Sequence, residues 1–292
     1  MLQKSNILAL VGGGTFPKFS KNKIIIWDDH QEKVLSQIRL NSNLITVKIR
    51  RDVIIGIITN KIYIFDINTL ETIDIINNGT SPNGICALSQ NYNPPNEFYL
   101  AFPNDKVKGK VQINKYMIEK GNINKKDEKA IIAHDSFIAQ MIISYDNQIL
   151  ATASDKGKMI RIFSVKTGEF LVELKRGATN ANISCLAFDI KQLFLGCFSD
   201  SGTVHVFDIG DINRLILEKN NGNKKNNSKI KIKERSFAKF KLKEEKSILG
   251  FGQDNSIIII TSQAVYYRAG FDVKTDGNCT KIEEHLIKGF DA

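Results

Sequence analysis

The chain is short of the residues that build metal, redox and hydrolytic centres. It has four histidines in 292 residues, His30, His134, His205 and His285, and no two stand at metal-ligand spacing. Its four cysteines, Cys86, Cys185, Cys197 and Cys279, show no Cys-x-x-Cys pair. That excludes a zinc-ribbon or disulfide framework and reads as buried thiols of a reducing compartment. No apolar run approaches the roughly 18 residues that cross a bilayer. The apolar start, Met1 to Val11, has no signal-peptide cleavage pattern and reads as a strand. There is no nucleophile elbow or P-loop, and Gly12-Gly13-Gly14 precedes no helix, so it is no dinucleotide fingerprint. Catalysis is not expected, and no cofactor or metal is implied.

Helical periodicity is also missing. What is present is short, β-branched and apolar: Ile7–Val11, Ile24–Trp27, Leu44–Ile49, Val53–Ile58, Ile62–Phe65 and Thr72–Ile76. Turn residues such as Asn60-Lys61 and Asn77-Asn78-Gly79 separate them. An apolar content of 42% is enough for a globular core. Short strands at this spacing predict a sandwich, a barrel or a propeller.

A repeat decides among these. Leu150-Ala151-Thr152-Ala153-Ser154-Asp155-Lys156-Gly157 precedes Ile160-Arg161-Ile162-Phe163, and Leu195-Gly196-Cys197-Phe198-Ser199-Asp200-Ser201-Gly202 precedes Val204-His205-Val206-Phe207-Asp208. The period of roughly 40 residues is one four-stranded blade. The fold expected is all-β, a WD40-type β-propeller in one domain. Six units are read at about 1–40, 44–76, 83–133, 137–177, 182–242 and 247–288.

Charge adds a functional bias. Lys and Arg number 41 against 31 Asp and Glu, a net +10, which favours an anionic partner. The plain alternative is a Lys/Asn/Ile-rich composition of AT-rich coding sequence. Nucleic acid is disfavoured because the basic stretches lack interleaved aromatics. The adjacent cations of Leu174-Lys175-Arg176-Gly177 lie between two strands, Phe170 to Glu173 and Ile183 to Phe188. Flanked by Ser, Thr and His at matching offsets, they suggest a phosphate-holding surface.

The run from Ala133-His134 through Phe163 to Glu173-Leu174-Lys175-Arg176-Gly177 resembles the fifth blade of the PROPPINs. These are seven-bladed WD-type propellers that bind phosphoinositides and include the WIPI proteins of autophagy. Their hallmark is Phe/Leu-Arg-Arg-Gly. The resemblance also covers Ala9-Leu10-Val11-Gly12-Gly13-Gly14, Ile26-Trp27-Asp28-Asp29, Ile49-Arg50-Arg51-Asp52, Gly84-Ile85-Cys86-Ala87-Leu88, Leu100-Ala101-Phe102-Pro103 and Ser236-Phe237-Ala238-Lys239-Phe240. The chain opens inside what resembles the second blade. A first blade of about 40–50 residues is therefore expected to be missing, leaving two unpaired sheet edges or a distorted six-unit ring. The other departure is Lys175 where the family has Arg, a point charge in place of a bidentate fork.

The resemblance implies two phosphate pockets flanking the hallmark blade. Lys175 would join His134, Ser154 and Arg161 in the first; Arg176 would join Ser199, Ser201, Thr203 and His205 in the second. Protonated imidazole would strengthen binding at mildly acidic pH. Each residue also has a structural reading. His134 stands where WD repeats bond a histidine within its own blade, His205 reads as a plain strand residue, the serines as turn residues, and Arg161 as a partner for a nearby carboxylate. The segment Ile209 to Arg235 corresponds to a family loop that enters the bilayer, through Leu215, Ile216 and Leu217 and the cations Lys229, Lys231 and Lys233. Its alternative is a low-complexity insert. A surface for an autophagy lipid-transfer protein is expected around Pro17, Lys18, Lys21, Lys23, Asp28 and Asp29. Together these imply a monomeric peripheral membrane effector for phosphatidylinositol 3-phosphate and the 3,5-bisphosphate. It would be cytoplasmic, on phagophore, endosomal, vacuolar or plastid-like membranes. The competing reading is a WD-type protein-interaction scaffold without lipid binding.

Overall fold

Apolar residues that run unbroken through a strand need cover on both faces. In the computed structural model, which describes residues 5–77, 83–90, 96–104, 106–119, 121–212, 216, 233–243, 246–275 and 277–287, neighbouring sheets supply that cover. The described residues are nearly all β, a propeller-type succession of antiparallel meanders, with helical residues at 210–212 and 216. The first sheet is β1 (Ile7–Leu10), β2 (Lys23–Asp28) and β3 (Lys33–Arg39). The second is β4 (Thr46–Ile49), β5 (Val53–Ile58), β6 (Lys61–Asp66) and β7 (Thr72–Asn77). The third is β8 (Ala87–Leu88), β9 (Glu97–Pro103), β10 (Lys110–Glu119) and β11 (Asn122–Ile132). The fourth is β12 (Ile138–Ile143), β13 (Ile149–Ser154), β14 (Met159–Ser164) and β15 (Phe170–Lys175).

The fifth sheet is β16 (Ile183–Phe188), β17 (Phe194–Ser199), β18 (Thr203–Asp208) and β19 (Ala238–Lys241). The sixth contains β20 (Ser247–Phe251), β21 (Ser256–Thr261) and β22 (Val265–Gly270). Next in the chain, β23 (Gly277–Asn278) pairs in parallel with β19, and β24 (Thr280–Leu286) completes the sixth sheet.

The second strand of a sheet shows why the pieces stack. Every residue of β5 is buried, and its side chains part by alternation. Val53, Ile55 and Ile57 pack toward the third sheet, with Phe98 and Leu100, while Ile54 and Ile58 pack toward the first, with Ile24 and Ile26. At about 1.5–3 kcal/mol per buried aliphatic side chain, these interfaces hold the fold together. Five such cores join the first sheet to the second and onward to the sixth. Among the described residues none joins the sixth to the first, and Ile248, Ile282 and Leu286 on the sixth sheet stay exposed. A charged group is enclosed within this stacking. Arg50 is wholly buried, 3.0 Å from Asp52, donating to Ser89 Oγ and the Glu97 carbonyl and lying over the Phe98 ring.

The repeat in the sequence reappears as a repeated turn. Gly157 N donates to the Ser154 carbonyl and Gly202 N to the Ser199 carbonyl, each at 2.9 Å, with both glycines at positive φ. A Cβ on Gly157 would meet the Ala181 carbonyl oxygen at 1.7 Å, whereas one on Gly177 would meet nothing within 4 Å. Gly157→Ala is therefore expected to cost at least about 2 kcal/mol in urea unfolding. Gly177→Ala should stay within about 0.5 kcal/mol. Equal midpoints for the two variants would contradict the packing described for this turn.

Candidate phosphate-binding site

The fourth sheet turns its two faces to different neighbours, and the hallmark cations follow that division. Ile160, Ile162, Val172 and Leu174 face the fifth sheet; Leu150 and Phe163 face the third. By strand alternation Arg161, Glu173 and Lys175 share the side of Leu150 and Phe163.

On that side a small recess, about 140 Å³, is lined by His134, Ser136, Ser154, Lys156, Lys158 and Arg161, with Asp135 and Met159. His134 is buried, with Nε2 3.0 Å from Thr152 Oγ1; Thr152 Oγ1 in turn donates to the Arg161 carbonyl. This is the within-blade bond of the structural reading. Burial, then the Arg161 charge, push the His134 pKa down to about 4. Arg161 donates from Nε to Glu173 at 2.8 Å and from Nη1 to the Ala133 carbonyl at 2.9 Å, so it is held by a carboxylate while still lining the recess. Lys175 does not line it. Its ammonium is bonded to Glu234 at 2.5 Å, and its backbone pairs with the segment at Arg235. Both partners are about half exposed, and such a pair contributes only about 0–1 kcal/mol.

The second group lies between the fourth and fifth sheets. Arg176 is buried, and its guanidinium donates to the carbonyls of Gly157 and Thr179. His205 is also buried, with Nδ1 3.0 Å from Ser236 Oγ. Its pKa falls to about 4 through burial, then the charges of Lys239 and Arg176. Ser199, fully buried, bonds Ser201 Oγ at 2.8 Å, and Thr203 sits opposite Ser199 in the ladder. Lys239 and Lys241 stand opposite His205 and Thr203 on β19, both exposed. The arrangement offers cations and oriented hydroxyls, the mixture that anionic oxygens require.

Several expectations need correction. Both imidazoles are neutral above about pH 5, so neither supplies the acid-strengthened charge expected from the sequence. Ile216 is buried in the core between the fourth and fifth sheets, together with Ile212, and is not available to a bilayer. Asp28 is buried too, accepting from Asn6 Nδ2 and the backbone N–H groups of His30 and Gln31. It closes its own turn and presents no partner surface. Lys233 is exposed; Leu215, Leu217, Lys229 and Lys231 lie outside the described residues. Pro17 is half-buried, Lys21 and Asp29 are exposed, Lys18 lies over the rings of Phe19 and Trp27, and Lys23 donates to Gln37.

The sequence reading missed Lys156, Lys158, Lys239 and Lys241, whose signal was their place beside the Ser-Asp turn and opposite His205. It also missed Phe16, 96% exposed beside Pro17, for which Thr15-Phe16-Pro17 after three glycines was the clue.

A family model described as PROPPIN matches residues 18–231. Autophagy-related protein 18e of Arabidopsis thaliana is 31% identical over 297 residues, covering 97% of this chain and 74% of its own. The chain spans between 46% and 62% of the fungal SVP1-like proteins it matches. Among solved structures, Kluyveromyces lactis Hsv2 aligns with a TM-score of 0.78 at 19% identity, over 98% of this chain and 85% of that one. A complex of KlAtg21 with the coiled coil of AgAtg16 aligns with a TM-score of 0.74 at 20% identity, over 99% and 84%.

The two histidines make stability pH-dependent. Their folded pKa values, about 4, lie below the ordinary 6.5, so between those limits the unfolded chain binds more protons. Their contribution is complete above about pH 6.5 and is lost as pH falls toward 4. Urea midpoints should drop from pH 7 to pH 5, and His205→Gln should flatten the drop. An unchanged slope in that variant would show that His205 is not held neutral.

Proposed function

The chain belongs to the PROPPIN family, and from that premise we propose that it is a peripheral membrane effector of autophagy-type trafficking. It reads phosphatidylinositol 3-phosphate, and the 3,5-bisphosphate, through the recess on one side of the fourth sheet and the cluster around Arg176 on the other. One observation carries this reading: cations and hydroxyls converge on both sides of a single sheet, around Lys156, Lys158 and Arg161 on one side and Arg176, Lys239 and Thr203 on the other. Arg176 is the preorganised member. Its guanidinium is already desolvated and aimed by two carbonyls, so binding it costs little further ordering. Lys175 acts as a point charge that exchanges Glu234 for a headgroup phosphate.

The exposed Lys233, with the cations that precede it in the sequence, supplies attraction to an anionic leaflet, each cation contributing about 1 kcal/mol near the surface. Two weak headgroup contacts on one rigid body then act at high effective concentration. Binding should accordingly rise steeply with the surface density of the lipid. The site of action is the cytoplasmic face of phagophore, endosomal or related membranes. The loop carrying Phe16, Pro17, Lys18 and Lys21 serves a protein partner, for which a lipid-transfer protein is the leading candidate.

A WD-type scaffold without lipid binding is the competing reading, and liposome flotation separates the two. Lys175→Thr/Arg176→Thr is expected to lower recovery on vesicles containing phosphatidylinositol 3-phosphate at least tenfold. Arg176 also braces the turns at Gly157 and Thr179, so a second variant leaves it intact. Lys156→Thr/Lys158→Thr/Lys239→Thr changes only exposed cations and should show a loss of the same order. Flotation equal to wild type in both variants would sink the lipid reading.

A further inference from the structure

Away from these recesses, the second and third sheets enclose a pocket of about 370 Å³ whose polar lining has the opposite sense. Its key residues are Asp74 on β7, Gln112 and Asn114 on β10, and Lys125 and Glu128 on β11. Asn114 is 2% exposed, and its Oδ1 is buried without a hydrogen-bond partner among the described residues. A buried carbonyl without a donor is unfavourable, and native structures keep few of them.

The neighbours fix which way the pocket is polarised. Tyr116 Oη donates to Asp74 Oδ2 at 2.7 Å, and Asn114 Nδ2 reaches Tyr116 Oη at 3.5 Å. Burial drives the Tyr116 pKa upward, so the phenol stays a donor. Asn114, which lines the pocket, thus has its amide N–H on Tyr116 and its carbonyl without a donor. Asp74 keeps Oδ1 for a second donor; no bond to it exists among the described residues. Glu128, opposite Asn114 in the ladder, takes Lys125 on Oε2 at 3.0 Å. Two carboxylates against one ammonium leave the pocket with one net negative charge, on a chain whose overall balance is +10. Composition biased toward lysine cannot produce that inversion.

We infer that this pocket receives a guanidinium group, carried by an arginine of a protein partner. The group must be cationic, because two carboxylates face it. It must offer more than one N–H donor, because Asp74 Oδ1 and Asn114 Oδ1 both lack a donor among the described residues. The planar fork of arginine has five N–H donors and is weakly hydrated, so it enters a half-dry pocket more readily than an ammonium does. The route is open to a polypeptide: β7 is the outer strand of its sheet and pairs only with β6 among the described residues. An extended segment can lie along that edge and turn its arginine inward. The inference is independent of the lipid reading, since it uses neither the fourth nor the fifth sheet.

The test is a titration of the ¹⁵N-labelled protein with acetyl-Gly-Arg-Gly-amide, followed by amide shifts. Shifts are expected around Asp74, Gln112 and Asn114. The same peptide with citrulline, which keeps the shape and loses the charge, should bind at least tenfold more weakly. Asp74→Asn, a change at the half-buried rim, should weaken the arginine peptide at least tenfold; Asn114→Leu should weaken it as well. Citrulline binding as tightly as arginine, or Asp74→Asn binding like wild type, would overturn the proposal, as would the absence of shifts at tens of millimolar peptide. Free L-arginine binding as tightly as the peptide would overturn the assignment to a polypeptide and leave a small-molecule cation as the occupant.

Discussion

Everything in this chain follows from strands that are buried on both faces. Once β5, β13 and β17 are apolar at every position or nearly so, a sheet cannot stand alone and must be covered on either side by its neighbours. The stacked cores then leave three places for polar chemistry: the turns at strand ends, the outermost strands, and the seams between sheets. The recess at His134, the group around Arg176 and the pocket at Asp74 lie at such seams. Arg50 shows what happens to a charge placed deeper. It is enclosed completely and survives only with Asp52, Ser89, the Glu97 carbonyl and the Phe98 face around it. Burial raises the Asp52 pKa, against the pull of Arg50. A seam thus offers partial burial, enough to strengthen a contact and too little to strip a charge of all its water.

The same partial burial explains the division of labour in the candidate site. The histidines are on the dry side and are neutral; Lys156, Lys158, Lys239 and Lys241 are on the wet side. Arg176 stands between them, desolvated yet satisfied by backbone carbonyls. A charge held by carbonyl dipoles keeps its field available to a ligand, whereas one held by a carboxylate has it cancelled. By that criterion Arg176 is the stronger cation of the hallmark, and Arg161, bonded to Glu173, is muted. Lys175 is muted too, but by an exposed partner that costs little to leave.

Much of the fold was legible. Val53–Ile58 and Leu195–Phe198 announce doubly covered strands by composition alone, and Ser154-Asp155-Lys156-Gly157 beside Ser199-Asp200-Ser201-Gly202 gives a turn that recurs atom for atom. Arg176 was legible because a family motif marks it. Lys156, Lys158 and Lys239 were not, because a chain this rich in cations gives no single lysine any contrast. Asp28 and Ile216 were misjudged for a common reason: an acidic residue in a turn and an isoleucine in a low-complexity stretch both look exposed, and only the three-dimensional path shows one capping its own turn and the other reaching a core. Asn114 was hidden for the same reason as the lysines, being one of many asparagines until its carbonyl is seen to lack a donor.

The fourth sheet is where these strands of evidence meet. Its inner residues belong to the cores on either side, so the recess at His134 and the group around Arg176 are fixed relative to each other by packing. The exception is Lys175. Its backbone N–H donates to the Glu234 carbonyl and its side chain to the Glu234 carboxylate, which ties the end of β15 to the stretch that leads into β19. Any anion that captures Lys175 must first displace that carboxylate. The backbone bond does not depend on the side chain and can persist when it leaves. The exchange therefore frees one glutamate, two residues before Ser236 in the stretch that leads into β19, without unpairing the strand.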